Sequence, residues 1–330
     1  MVMPQRIALT LSNSAGALAT INDALWAESE GYDDVWFADT GMDSLTMACS
    51  VGVQTKRVRI GTAIIPVFTR TPAVFAATAH VLHQVSDGRF ILGLGSSSQT
   101  MMENWNGQVF EKPLTRVKET AQLVRSMLEG NRSDFEGVTL HSKGYRQPPL
   151  PEGKPPIYLA GLRGKMLEMA AEVGDGVILN LFPRSFFPTM LEHIRIGAER
   201  GGKKLEDIEI VCRHQVVVTT DLAEARNRMR TQFAPYYATP VYNNFLAWSG
   251  HADKAKVIKE GWAERDRNKT TGAMDDQLVD ELACIGSAGQ CQDRIREYAD
   301  MGITTHIISC PSPDALQTTY EAFTAENFSF

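Results

Sequence analysis

Arg59-Ile60-Gly61-Thr62-Ala63-Ile64-Ile65-Pro66, followed by Gly88-Arg89-Phe90-Ile91-Leu92-Gly93-Leu94-Gly95-Ser96, decides the fold. Each half is a short apolar run that stops abruptly in small or turn-forming residues, and residues 72–85 between them carry a helical pattern. A crossover of that length returns the chain to the same edge of a sheet, so the unit reads as a parallel strand–helix–strand. Parallel α/β proteins bind ligands beyond the C-terminal ends of their strands. Both runs end there in residues that expose backbone, which makes the pair the expected floor of a cofactor site.

The same alternation runs along the chain. Residues 6–11, 34–38, 58–64, 90–95, 156–160, 176–179, 208–218 and 305–309 read as strands. The helical patterns that follow them are 15–31, 43–55, 72–85, 115–129, 164–173, 186–200, 222–233 and 313–324. Eight such pairs predict an α/β fold, a closed (β/α)8 TIM barrel forming a single domain over residues 1–330, with an open doubly wound sheet as the alternative. A weak repeat agrees with a barrel: helices end at Gly31, Gly174 and Gly302, each expected as a left-handed C-cap, just before a strand. Insertions follow the fourth and seventh units. Residues 131–155 contain a hairpin pattern at 134–140. Residues 235–286 are mostly helical, with Tyr236, Tyr237, Tyr242, Phe245 and Trp248 near their start. That second insertion either covers the site or forms a dimer surface.

The chain of 330 residues has room for one large core. Its 43% apolar and 22% charged residues argue against disorder. Lys and Arg total 33 against 39 Asp and Glu, a formal charge of −6 that gives no nucleic-acid footprint. No apolar run approaches the roughly 18 residues of a membrane span, and the first residues lack the apolar core of a signal peptide. Five cysteines (Cys49, Cys212, Cys284, Cys291 and Cys310) lie at scattered spacings without a zinc or redox pair. A cytoplasmic protein is the expectation. His80 and His83 sit one helical turn apart without a third ligand, so no metal is expected.

The opening stretch, continued through Arg70-Thr71-Pro72 and Ser86-Asp87-Gly88, resembles the bacterial luciferase-like superfamily, (β/α)8 oxidoreductases that use a flavin or deazaflavin. The likeness covers nearly the whole chain. Trp36-Phe37-Ala38-Asp39-Thr40-Gly41, Glu103-Asn104-Trp105-Asn106-Gly107, and residues 111–116, 158–167 and 175–180 resemble its coenzyme F420-dependent, methylenetetrahydromethanopterin reductase-like branch. The resemblance implies an enzyme that transfers a hydride between F420 and a small organic substrate, as a homodimer. FMN shares the pocket geometry, so an FMN-dependent luciferase-like monooxygenase stays open. So do a non-catalytic flavin-binding protein and, more distantly, a metal-dependent hydrolase.

The resemblance also implies a non-prolyl cis peptide at Ala63-Ile64 that backs the deazaflavin ring; read alone, the segment is an ordinary barrel strand. Asp39 ends the second strand, and relatives approach the ring from this position. Many follow it with a histidine where this chain has Thr40. An N-cap is the plainer role for Asp39. Ser96, Ser97 and Ser98 offer hydroxyls and amides to the cofactor or form a plain polar loop. Glu103 suits proton donation at a pocket rim, or is simply solvated. Ala160-Gly161-Leu162-Arg163-Gly164-Lys165 joins a strand to a helix N-terminus and adds two positive charges, a pattern suited to a phosphate. Asn180 ends the sixth strand at the expected pocket floor. His214 either points into the barrel or is a hydrogen-bonded core histidine. Asp39, Glu103 and His214 are the proton-handling candidates.

Overall fold

A computed structural model of the chain describes residues 3–11 and 16–330; the predicted helix start at Ala15 lies outside the described residues. Eight parallel strands form the wall: β1 (Arg6–Thr10), β2 (Asp34–Phe37), β3 (Arg59–Thr62), β4 (Phe90–Gly95), β5 (Ile157–Ala160), β6 (Gly176–Asn180), β7 (Glu209–Val218) and β8 (Thr305–Ser309). Each pairs with the next, and β8 returns to β1 with Ile7 opposite His306 and Leu9 opposite Ile308. That last pairing closes the barrel and rules out the open sheet.

Local chemistry sets the elements. The helix Pro72–Val85 starts where the Thr71 side chain accepts a hydrogen bond from Val74 N and Pro72 presets the first turn. It stops at Asp87 and Gly88, both with positive φ. The helix Ala288–Asp300 is opened by a capping box between Ser287 and Gln290. Leu9, Val35, Ile60, Leu92, Leu159 and Ile308 face the helices and join one large core. Phe75, Phe90 and Phe187 are fully buried, each contributing on the order of 1.5–3 kcal/mol by leaving water.

Alternation turns the other set of strand residues inward. Ala8, Trp36, Ile91, Tyr158, Ile178, Val211 and Ile307 pack together inside the barrel. Gly93, two residues on from Ile91, shares this inner register and has no room for a side chain: a Cβ there would lie 1.7 Å from the Thr62 carbonyl oxygen. Below them, at the N-terminal end of the lumen, Arg59 grips both oxygens of Asp34 at 2.7 Å and reaches Glu209 at 2.7 and 3.0 Å. Tyr158 and Thr305 donate to the same Glu209 carboxylate. Burial alone would raise Glu209, but hydrogen bonds and charge from Arg59 hold it at about 2.

Three details differ from the expectation. The third strand is interrupted after Thr62 and resumes as a short piece, Ile65–Pro66, against β4. Gly174 is not left-handed: its φ is −86°, whereas Gly31 and Gly302 have φ of +89° and +108°. Within the second insertion, Ala283–Gly286 is a strand parallel to the end of β7. The first insertion does contain a hairpin, Asp134–Glu136 against His141–Lys143. The helices of the second insertion, among them Pro240–Leu246 and Ala252–Ala263, share an apolar cluster with Met229, Phe233 and Leu181. Tyr237 donates to the Leu181 carbonyl at 2.8 Å, which holds this insertion against the end of β6. Among the described residues no helix is long and apolar enough to cross a membrane.

Candidate active site

The C-terminal mouth of the barrel is built from small residues on one side. Ala63, Ile64 and Ala160 pack on top of the inner cluster. The bond between Ala63 and Ile64 is cis. Ala63 N donates to Phe37 O at 2.7 Å, which ties the break in β3 to the end of β2. Gly95 sits between these residues: a Cβ there would meet the Ile64 side chain at 3.0 Å and Ala160 Cβ at 3.2 Å. Ala63, Gly95 and Ala160 put little side chain at these strand ends, which makes a low floor beside Ile64.

Asn180 closes that floor on β6. Its amide nitrogen donates to the Tyr242 hydroxyl at 3.4 Å, and its amide oxygen is buried without a partner among the described residues. A buried acceptor left unpaired costs on the order of 1–3 kcal/mol. The site therefore has an unfilled demand for a donor.

The loops after β4 and β5 flank the floor. Ser97 has φ +60°, and its hydroxyl contacts the Met101 sulfur, while Ser98 Oγ accepts from Met101 N at 3.3 Å. Ser96 donates to the Ser97 carbonyl. These bonds shape the loop around the start of the π-helical turn Met101–Trp105. After β5, Gly161 N bonds Ile178 O, Leu162 packs on the outer core, and Arg163 precedes the helix Gly164–Val173 without capping it by its side chain. Arg163 and Lys165 are both exposed there, so the first turn presents amides and two cations to solvent.

The three proton-handling candidates fall in three different settings. Asp39 accepts from Arg70 at 2.9 Å and from the amide and hydroxyl of Ser44, both at 3.1 Å. Arg70 bridges on to Asp43, whose side chain caps the helix Ser44–Gly52. Burial works against the Arg70 charge, but bonds from Asp39 and Asp43 outweigh it and raise its pKa. All the hydrogen bonds described at Asp39 are ones it accepts, so in this arrangement it anchors Arg70 and a helix start. Glu103 is exposed on the π-helical turn and accepts from Gln99 at 3.0 Å.

His214 requires a correction. Val211, inside the barrel, sets the parity of β7, so Arg213 faces the lumen and His214 faces the helices. Its ring lies 4.5 Å from that of Tyr298, and its Nε2 is 3.1 Å from His306 Nδ1. Burial, together with the neighbouring His306, lowers its pKa well below the usual histidine value. His214 is a core residue behind the strand, outside the mouth.

The residues the sequence reading missed follow from that same parity. A cavity of about 320 Å³ opens between the ends of β7, β8 and β1. Arg213 lines it, donating from Nε to Thr10 Oγ1 at 3.2 Å and from Nη2 to Ser309 Oγ at 2.8 Å. Gln215, Tyr236 and Tyr320 share the lining. Tyr236 belongs to the second insertion, which thereby forms part of the wall. Polar residues at 213 and 215 inside an apolar strand were the available signal. Among the described residues no three His, Cys, Asp or Glu side chains are grouped as a metal site.

Comparison with known proteins gives this geometry a lineage. The luciferase-like monooxygenase family model matches residues 2–305. A 5,10-methylenetetrahydromethanopterin reductase of Methanolobus tindarius is 28% identical over 289 residues, spanning 86% of this chain and 88% of the relative. A putative coenzyme F420-dependent oxidoreductase of Mycobacterium tuberculosis is 28% identical over 317 residues, spanning 88% of this chain and 90% of the relative. The solved coenzyme F420-dependent tetrahydromethanopterin reductase of Methanopyrus kandleri superposes with a TM-score of 0.80 at 20% identity, over 97% of both chains. This last likeness is one of fold.

Proposed function

The chain belongs to the luciferase-like monooxygenase family, and we propose that it is an oxidoreductase exchanging a hydride between coenzyme F420 and a small organic substrate at the barrel mouth, one barrel domain spanning residues 1–330. The observation that carries this reading is the pairing of a floor of three small residues, Ala63, Gly95 and Ala160, beside Ile64, with the orphaned Asn180 amide oxygen. A deazaflavin is a flat ring system whose pyrimidine edge carries an N–H, so the residues present fit it. Bound there, it would supply the two-electron carrier, and the protein supplies the rest.

Asn180 would orient the ring edge. The exposed Arg163 and Lys165, with the first-turn amides of Gly164–Val173, would attract the anionic tail. Ser96, Ser97 and Ser98 would border it from the loop after β4. Asp39 acts as a positioning residue that holds Arg70 and the start of the helix Ser44–Gly52. Glu103, the exposed carboxylate just beyond β4, takes the role of exchanging a proton with solvent. The five cysteines are all free thiols, which supports a reducing, cytoplasmic setting. Val74, Val81 and Val85 are exposed along one helix, which supports a homodimer through barrel helices.

Titration of the apoprotein with F420 and, separately, FMN tests the reading through quenching of its five tryptophans. Preferential binding of F420 is expected. Preference for FMN would replace the reading with oxygen chemistry on a reduced flavin, and binding of neither would remove the cofactor site.

A further inference from the structure

Resting on the reading of the mouth as a hydride-exchange site, we propose that the cavity between β7, β8 and β1 takes the carboxylate of a small organic acid, gripped by Arg213. The substrate class is therefore a carboxylic acid with a compact apolar body.

Arg213 is the basis. A guanidinium offers five N–H donors, and the two contacts made here go to the neutral hydroxyls of Thr10 and Ser309. Among the described residues no carboxylate lies within ion-pair distance of it. The six residues outside the description, Met1, Val2, Ser12, Asn13, Ser14 and Ala15, include no acid. Arg59 and Arg70, also half-buried, each meet two carboxylates, whereas Arg89 and Arg116, which like Arg213 have no ion pair among the described residues, give their donors to backbone carbonyls and, for Arg89, the Thr55 hydroxyl. Arg213 instead bonds only two hydroxyls and lines a cavity, where an arriving anion can supply the missing counter-charge.

The surroundings specify what arrives. Gln215 is only 6% exposed, lines the same cavity, and its side-chain amide has no hydrogen-bond partner among the described residues. It sits two positions along β7 from Arg213 and so faces the same side. A carboxylate held by the planar guanidinium in its two-pronged mode would present its second lone pairs to this amide. Tyr236 and Tyr320 supply flat apolar walls. About 320 Å³ suits a molecule of modest size, at the lower end of small-molecule pockets. The cavity borders β7, β8 and β1, while the proposed cofactor floor lies on β3 to β6, so acid and ring would meet across the mouth.

The test is calorimetric titration of the F420-loaded protein, and in parallel the apoprotein, with acetate, propionate and benzoate against acetamide, propionamide and benzamide. At least one carboxylate is expected to bind about ten- to a hundredfold tighter than its amide, the range of a charge-assisted pair. Arg213→Gln should abolish that preference while leaving F420 affinity within about twofold, and Arg213→Lys should retain part of it. Circular dichroism checks that the variants are folded; should Arg213→Gln fail to fold, Arg213→Lys together with Gln215→Leu carries the comparison. Absence of any carboxylate preference in the unaltered protein overturns the proposal, as does its survival in Arg213→Gln. Loss of F420 affinity in Arg213→Gln would assign the anion to the cofactor and also overturn it. If F420 does not bind at all, the apoprotein arm still reads the carboxylate site, so the two readings fail separately.

Discussion

The two ends of the barrel lumen handle the same residue type in opposite ways. At the N-terminal end Arg59 is held by two carboxylates, and one of them, Glu209, also accepts from Tyr158 and Thr305. At the C-terminal mouth Arg213 touches two hydroxyls, Asn180 keeps an orphaned amide oxygen, and the strand ends are small. A closed lumen could have been filled at both ends. That one end is finished and the other left in need of partners separates stability from ligand binding within one wall, as expected for barrels whose loops after the strands carry function.

Arg59→Met should break the lower end. It leaves Glu209 without its counter-ion and Asp34, wholly buried, with only Arg6 at 3.8 Å, at a cost of about 3–5 kcal/mol in urea unfolding. A cost below about 1 kcal/mol would mean that the lower network is dispensable, and the contrast between the ends would collapse.

The outer wall of β7 and β8 gives a pH-dependent standard. His306 is held at about 3 by burial, and His214 beside it is also lowered. Both bind a proton more readily when unfolded, so their neutral burial contributes fully above about pH 6.5. Stability then falls with decreasing pH, for His306 by up to about 1.4 kcal/mol per pH unit toward its value near 3, and His214 adds to the slope in the same direction. Replacing His306 with Gln should flatten this slope in urea midpoints between pH 6.5 and 5. An unchanged slope would place the titration elsewhere.

Asn180→Leu sharpens the contrast at the mouth. It removes an unpaired buried acceptor, so stability should stay level or rise, while F420 affinity falls about tenfold through loss of the hydrogen bond to the ring. Equal losses of stability and affinity would mark Asn180 as structural.

How much of this was legible in the chain depends on what marks each feature. Pro72–Val85, Phe90–Gly95, Gly164–Val173 and Thr305–Ser309 match the sequence reading residue for residue, because proline, glycine and capping side chains punctuate them. The cis bond at Ala63-Ile64 was implied by the family resemblance alone, since the segment by itself reads as an ordinary strand. The face of β7 was not legible. A parallel strand buried on both sides carries apolar residues in both registers, and the one local signal, Arg213 with Gln215 two residues on, is blunted by the polar His214 between them. Only the pairing of β7 with β6 and β8 settles it, and this turned His214 outward and Arg213 inward. Ala283–Gly286 was hidden for a related reason: four residues inside a helical insertion become a strand only because β7 is long enough to pair with them.

The smallest expected effect concerns Asp39, where the geometry distinguishes an anchor from a proton carrier. Arg70 is shared between Asp39 and Asp43, so losing one carboxylate leaves it the other. Asp39→Asn and Asp43→Asn should each cost about 1 kcal/mol or less in urea unfolding, as partly solvated pairs do. Losing both strands the half-buried guanidinium, so the double variant should cost about 0.5–1 kcal/mol more than the sum of the singles. That excess is the signature of an anchor. Simple additivity would mean that Asp39 does not hold Arg70 in place, and would return it to the list of groups free to move a proton at the mouth.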